Sequence, residues 1–304
     1  MTRLINLVKR IMRKTYPNSL GVKINGHHDA EIYSLRMIQQ IFQLQSETLG
    51  IELLKREKHS SDLDLIKHGY ASFSQYDEDG IIEEIFKRIG FDTRQFCEIG
   101  VGGIENLENN TIQLLMKGWT GVWLEASNKN CNEITLYLEQ NKGIREQLTL
   151  IEGFVTPKNI NETVKKNNLD KVDLLSIDID SFDYYVLESF QNLCARCVVL
   201  EYNAKFPPSV DWVVSLDDKS VSGKTSNFGA SLAAYRRLMK EKNYELVGCG
   251  LTGANAYFVR SDLAQKNLFH LNKPTEFYYE PPRYHLAWGL RKGMLGVLSR
   301  GVIK

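Results

Sequence analysis

The spacing of apolar and polar positions divides the chain into unlike stretches. From Asp29 to about Lys58, Ile32, Leu35, Ile38, Phe42, Leu49 and Leu53 recur at steps of three, four and seven. That spacing predicts one long amphipathic helix or a helix pair broken near Gly50. Its expected role is packing, either on the body of the protein or on a second copy, so a homo-oligomer formed through it is one expectation. Ser60, Ser61 and Asp62 mark a polar joint, and from Ile81 onward strand-like and helix-like segments alternate.

The strand candidates are residues 95–99, 121–125, 148–151, 172–177, 197–201, 244–249 and 256–260. Helical stretches at 110–117, 130–141, 160–167 and 184–192 separate the first five. Parallel neighbours need a crossover connection, so this alternation predicts a parallel sheet with helices on both faces. Short continuous apolar runs are what strands covered on both faces show. The last two candidates are joined by Gly248-Cys249-Gly250-Leu251-Thr252-Gly253, which predicts an antiparallel hairpin. The expected architecture is α/β, a mostly parallel seven-stranded sheet closed by an antiparallel C-terminal hairpin. Expected boundaries are an N-terminal helical extension (1–62), a main domain (63–268) and a basic C-terminal tail (269–304).

Over 304 residues, 43% hydrophobic and 25% charged composition supports a full globular core. A formal net charge of +1 argues against a nucleic-acid partner, which would call for a basic stripe. The ends are nevertheless basic. Arg3, Lys9, Arg10, Arg13 and Lys14 open the chain without an acid, and Arg283, Arg291, Lys292, Arg300 and Lys304 close it the same way. Apolar residues at helical spacing (Leu4, Leu7, Val8, Ile11; Leu290, Met294, Leu295, Leu298) suit either terminal helices packed on the body or peripheral contact with an anionic membrane. Neither end has the apolar run of a signal peptide or a spanning helix, so the expected location is cytoplasmic, with membrane contact left open. Five cysteines are an odd number for a disulfide framework, and Cys194 with Cys197 is read as a buried structural pair rather than half a zinc site.

The strongest local motif is Phe96-Cys97-Glu98-Ile99-Gly100-Val101-Gly102-Gly103, a strand running into a glycine turn. Glycines let the backbone turn sharply and approach a ligand closely, and open parallel sheets bind ligands beyond the carboxyl ends of their strands. The next strand ends in Glu125, at the spacing of an acid that accepts ribose hydroxyls. That spacing suits a dinucleotide and S-adenosylmethionine alike. Glu98 before the turn, with Glu105 and Glu108 after it, would repel a pyrophosphate and tolerate a sulfonium, which tilts the reading to S-adenosylmethionine.

A second constellation is Leu174-Leu175-Ser176-Ile177-Asp178-Ile179-Asp180-Ser181-Phe182-Asp183, an apolar strand ending in acids. Asp178, Asp180 and Asp183 are candidates for a general base or acceptor anchor. The neighbouring exit Glu201-Tyr202-Asn203 supplies more oxygens. Asp178, Glu201 and Asn203 form an alternative set for a divalent cation such as magnesium. Helix capping by these acids is a third reading.

Together the glycine turn, Asn109-Asn110-Thr111, Gly118-Trp119-Thr120-Gly121-Val122-Trp123-Leu124-Glu125 and the Ser176-to-Asp180 strand resemble the FkbM-type methyltransferases. So do the upstream Phe73-Ser74-Gln75-Tyr76-Asp77-Glu78-Asp79-Gly80 and the late Gly253-Ala254-Asn255-Ala256-Tyr257-Phe258-Val259-Arg260. The resemblance covers about residues 70 to 265. It implies a Rossmann-like methyltransferase fold, S-adenosylmethionine as cofactor, and O-methylation of a sugar or glycoconjugate, a small-molecule or glycan acceptor. Gln75, Glu98, Gly100, Gly102 and Glu125 are then expected at the cofactor, with Phe154 and Val155 flanking the adenine. The chain departs from the pattern at Gly103, where many of these enzymes carry an acid. It departs again in its three aspartates, which also resemble metal-dependent catechol-type O-methyltransferases.

Two rival readings remain at this stage. One is a non-catalytic assembly protein held at a membrane by its basic ends, and the other is an NAD-dependent enzyme. Gly223-Lys224-Thr225 mimics the end of a P-loop without its upstream glycine and is read as a loop. The insertion from Pro207 and Pro208 through Trp212 is a candidate substrate lid. His27, His28 and His285 stand beside no recognisable nucleophile.

Overall fold

The computed structural model describes residues 27–103, 109–179, 182–216 and 227–287. Both basic terminal segments except 281–287, and with them Glu105, Glu108, Asp180 and Gly223-Lys224-Thr225, lie outside the described residues.

The N-terminal pattern gives one continuous helix, α1 (His27–Leu54), with Gly50 inside it rather than at a break. Its C-terminal end is anchored by Leu53, which is buried. Ile38, Ile41, Leu44, Leu49 and Ile51 remain exposed, so much of the apolar pattern along this helix is not spent on the body. No helix among the described residues is long and apolar enough to cross a membrane. After α1, the short turns Glu57–His59 and Leu65–His68 follow, and the first is tied to the segment around Glu280. Glu280, which is buried, pairs with Lys58 and with Arg283 at 2.7 Å, and the buried His59 reaches Asp64 at 2.7 Å.

The main sheet follows in order: α2 (Glu78–Ile89), β1 (Gln95–Ile99), α3 (Ile112–Met116), β2 (Thr120–Glu125), α4 (Asn128–Gln140), α5 (Lys142–Arg145) and β3 (Leu148–Glu152). Then come α6 (Ile160–Lys166), β4 (Leu174–Ile177), α7 (Asp183–Ser189), β5 (Cys197–Glu201), α8 (Leu232–Glu241), β6 (Tyr244–Cys249), β7 (Asn255–Arg260) and α9 (Thr275–Tyr278). Every strand forecast from the pattern is present, with ends moved by up to two residues.

The strands form one seven-stranded sheet in the order β3-β2-β1-β4-β5-β7-β6. The first five are parallel, while β7 pairs antiparallel with both β5 and β6. With helices on both faces, this is the Rossmann-like methyltransferase fold. The period of two along each strand sorts the core into two layers. Cys97, Ile99, Leu175, Ile177, Val198 and Leu200 meet α6, α7 and α8 on one face; Phe96, Leu174, Cys197 and Val199 meet α2, α3 and α4 on the other. Cys197 is thus core, as expected, but Cys194 is exposed, which corrects the reading of both as buried.

At the amino ends of the strands, Asp173 anchors the sheet. It is 1% exposed and its carboxylate accepts from the backbone N–H of Asp92 (2.9 Å), Thr93 (2.8 Å) and Arg94 (2.6 Å). A buried charge with that many donors is satisfied. The carboxyl ends are left for the site. From β1 the chain winds to β2 and β3 on one side, then returns to β4 on the other, so the β1/β4 boundary is a topological switch point where such sheets hold ligands.

Candidate active site

A cleft of about 430 Å³ opens at that switch point. Its walls are Gly100 to Gly102 after β1, Leu124 to Ala126 at the end of β2, Gly153 to Pro157 after β3, Asp178 and Ile179 after β4, Phe182, Glu201 at the end of β5, and Gln75. Asn130 of α4 completes it.

Gly100 has no alternative at its position. Its φ is +85°, in the left-handed region, and a Cβ there would land on the carbonyl oxygen of Asp178. This contact lets β1 and β4 close to hydrogen-bonding distance beneath the cleft, where Asp178 N–H donates to Ile99 O at 2.9 Å. Gly102, at φ +72°, faces open space instead and its N–H donates to Glu125 Oε2 at 2.9 Å. Glu125 Oε1 also accepts from Ser127 N–H (2.7 Å) and Asn130 Nδ2 (3.3 Å). The β2 acid therefore clamps the glycine turn to the start of α4 while lining the cleft.

Glu98 behaves differently from expectation. It does not line the cleft; it is 2% exposed and turned to the polypeptide that follows the turn. Its Oε1 accepts from Asn110 N–H (2.8 Å) and its Oε2 from Thr111 Oγ1 (2.5 Å). Asn109 Oδ1 takes the Thr111 N–H at 3.0 Å. Trp123 Nε1 donates to the same Thr111 hydroxyl at 2.8 Å. The approach to α3 is thus filled from within the protein, in the place where dinucleotide-binding folds present free N–H groups to a pyrophosphate. Burial pushes the Glu98 carboxyl up to about 7, against the pull of Thr111 and Asn110, with Asp79 and Glu78 adding to the rise.

Gln75 reaches the cleft on a loop that three acids hold in place. Asp79 Oδ2 accepts from the N–H groups of Ser72 (2.7 Å), Phe73 (2.6 Å) and Ser74 (2.9 Å). Glu78 takes Tyr76 N–H at 2.6 Å and Asn255 Nδ2 at 2.8 Å, and Asp77 takes Leu251 N–H at 2.7 Å. Burial raises the Glu78 carboxyl to about 7, with the charge of Asp77 next in effect. The Ser-Gln-Tyr-Asp-Glu-Asp segment is a bracket that ties the first helix of the domain to the β6/β7 turn and aims Gln75.

The three aspartates after β4 part company. Asp178 lines the cleft; Asp183 is 3% exposed, lies outside the cleft wall and accepts from Ile179 N–H at 2.8 Å, holding the turn that starts α7. Asp180 lies outside the described residues. The cation set is not assembled as expected. Asn203 is fully buried and absent from the cleft wall: its Nδ2 donates to Phe228 O (3.2 Å) and its Oδ1 accepts from Lys205 N–H (3.3 Å). Among the described residues no group of three or more His, Cys, Asp or Glu is placed to hold a metal.

Phe154 is 67% exposed at the cleft and Val155 beside it is buried. The insertion after β5 is closed at its base by a bridge between Val213 and Ala230, with Phe206 stacked on Trp212 at 4.2 Å. Asn130, Thr156, Pro157, Ile179 and Phe182 are cleft residues that the motifs did not single out. For Asn130 a signal existed, since Ser127 caps α4 by accepting from Asn130 N–H at 3.3 Å and so fixes that residue beside Glu125.

No protein-family model and no curated protein matches the chain. Among solved structures it is similar to the N-terminal domain of EvdMO1 with SAH bound (TM-score 0.39, 12% identity, covering 60% of this chain and 79% of that one). It is similar to an O-methyltransferase from Bacillus cereus in complex with SAH (TM-score 0.36, 12% identity, 86% and 100%). It also resembles monomeric WbdD (TM-score 0.38, 16% identity, 59% of this chain), of whose length it spans 38%.

Proposed function

We propose that the protein is an S-adenosylmethionine-dependent methyltransferase acting on an oxygen of a sugar or glycoconjugate. The observation that carries this reading is the position of Glu98. A buried carboxylate on the N–H of Asn110 removes the anion site that a dinucleotide's pyrophosphate needs, while the ribose-accepting acid, Glu125, stays at the cleft. What fits is an adenosine without phosphates and with a positive charge. S-adenosylmethionine, when bound, supplies a methyl group on a cationic sulfur.

The chain's own residues then divide the work. Glu125 holds the ribose with the lone pair that its protein donors leave free, and the exposed Phe154 ring with Val155 flanks the adenine. Gly100 and Gly102 let the backbone approach the amino-acid end. Asp178, Glu201 and Gln75 line the same cleft and accept or anchor the acceptor hydroxyls. Holding the acceptor oxygen in line with the methyl group supplies much of the rate. The assignment to a sugar is supported by the FkbM-type resemblance and by this carboxylate-and-amide wall. Its test is mass spectrometry of surface glycans from cells with and without the gene. Loss of one methyl from a sugar residue is the expected result, and unchanged methylation of every glycan contradicts the acceptor.

A further inference from the structure

We propose that Glu98, Thr111 and Asn109 form a one-proton switch at the approach to α3, with two complete hydrogen-bond patterns, and that a cationic cofactor in the cleft favours the ionised one. The second half rests on the methyl-transfer reading above; the switch itself does not.

The switch is built around one hydroxyl. Thr111 Oγ1 has one proton to give and two lone pairs, and three groups surround it: Trp123 Nε1 at 2.8 Å, Glu98 Oε2 at 2.5 Å and Asn109 Oδ1 at 3.0 Å. The indole N–H can only donate. The other two neighbours are oxygens that compete for the single hydroxyl proton. Which end of the Asn109 amide is oxygen is fixed by the Thr111 N–H, which donates to it at 3.0 Å. With Glu98 ionised, the hydroxyl donates to Oε2 at the short separation of an O–H···O⁻ bond, and Asn109 keeps the backbone N–H alone. With Glu98 protonated, its O–H donates to Thr111 Oγ1, and the hydroxyl turns its own proton to Asn109. Glu98 Oε1 accepts from Asn110 N–H at 2.8 Å in both patterns, and no heavy atom has to move. All three side chains are buried, so each pattern has to be completed within the protein.

Both patterns are reached near neutral pH. Burial holds the Glu98 carboxyl at about 7, against the pull of Thr111 and Asn110. Among the described residues, the titratable groups that face it are Asp79 and Glu78 on α2 and its neighbour Cys97. Burial keeps the Cys97 thiol protonated, which leaves the charge to the acids. Glu98 stands one residue before Ile99, where β1 begins to line the cleft. A positive charge in the cleft favours the ionised carboxyl across that low-dielectric wall, and by linkage the ionised carboxyl favours the positive ligand. S-adenosylmethionine carries that charge on its sulfur, and S-adenosylhomocysteine does not. The product therefore lacks the preference that the cofactor enjoys.

Trp123 reports the switch, because its indole N–H donates to the hydroxyl that turns. In full-length protein labelled with ¹⁵N, the Trp123 indole signal is assigned with Trp123→Phe and followed by NMR from pH 5 to pH 9. In the native chain it is expected to move in a step near pH 7. Glu98→Gln places an amide N–H where protonated Glu98 has its O–H, so it should hold the signal near its low-pH position throughout. Asn109→Ala removes the acceptor of the protonated pattern and should lower the midpoint by about half a unit or more, while Thr111→Ser keeps the hydroxyl and should keep the step. A Trp123 signal that does not move in the native chain overturns the switch without recourse to any other variant. So does a step that survives in Glu98→Gln, or an unchanged midpoint in Asn109→Ala, which would leave simple burial of a carboxyl. The cofactor half is read by calorimetry. For a midpoint of 7, affinity for S-adenosylmethionine should rise by up to about tenfold from pH 6 to pH 8 relative to Glu98→Gln, a comparison that cancels titration of the ligand itself. S-adenosylhomocysteine should show a smaller rise. Equal rises for the two ligands overturn the coupling and leave the switch; no binding of S-adenosylmethionine at either pH removes the methyl-transfer reading and the coupling with it.

Discussion

Replacing Glu125 by alanine tests the cofactor side of the cleft with a magnitude that follows from its hydrogen bonds. A carboxylate offers about four lone-pair positions. Gly102 N–H, Ser127 N–H and Asn130 Nδ2 occupy three of them, so one is left for a ribose hydroxyl unless a protein donor yields its place. One charge-assisted hydrogen bond contributes about 1.5–3 kcal/mol, which is roughly 10- to 150-fold in affinity. The turn itself should loosen by about 1–2 kcal/mol, because Gly102 and Ser127 lose a partner next to a cleft where water can replace it. The assay is calorimetric titration with S-adenosylmethionine, paired with a denaturation curve without ligand. Asn130→Ala, which removes only the 3.3 Å contact, should cost much less in both. An affinity for S-adenosylmethionine within twofold of the native value in Glu125→Ala would refute the role given to this carboxylate.

Other outcomes follow from the same contacts. Gly100→Ala should lower stability by about 2 kcal/mol or more, since the left-handed backbone and the Asp178 carbonyl both oppose a Cβ; an unchanged denaturant midpoint would contradict this. Asp79→Ala removes the acceptor of three backbone N–H groups and should cost about 2–4 kcal/mol, with weaker binding through the released Gln75, although residue 79 is not in the cleft. Glu78 and Glu98 have carboxyls raised to about 7, so between about pH 4.5 and 7 the folded state holds protons that the unfolded chain has lost. Stability should therefore fall as pH rises through that window and level off above it, by on the order of 3 kcal/mol for each group and less than twice that for both, because they interact. Urea denaturation at pH 5 and pH 8 checks the sign, and Glu98→Gln should flatten the slope.

The sheet was legible because its central strands are short apolar runs with turn residues at both ends, and the β2 acid at the cleft because it ends the strand next to the glycine turn. The carboxylates were harder to sort. Whether an acid at a strand exit faces a ligand or a backbone N–H depends on the course of the next few residues, which periodicity does not encode. Glu98 and Asp183 turn to N–H groups of Asn110 and Ile179, whereas Asp178 and Glu125 face the cleft. Asn203 looked like a ligand by proximity to Glu201 and instead ties the insertion to Phe228 and Lys205. In the N-terminal segment the apolar spacing predicts helix but leaves open a break at Gly50, which does not occur; nor does spacing reveal what covers Ile41 or Leu44, and both are exposed.

The occupied approach to α3 gives the account its sharpest test. The full-length protein is titrated by calorimetry with S-adenosylmethionine, S-adenosylhomocysteine and NAD in parallel. Saturable binding of the two adenosyl ligands, lost or weakened in Glu125→Ala, with no binding of NAD, is the expected result. Binding of NAD in the absence of any binding of S-adenosylmethionine would contradict the account.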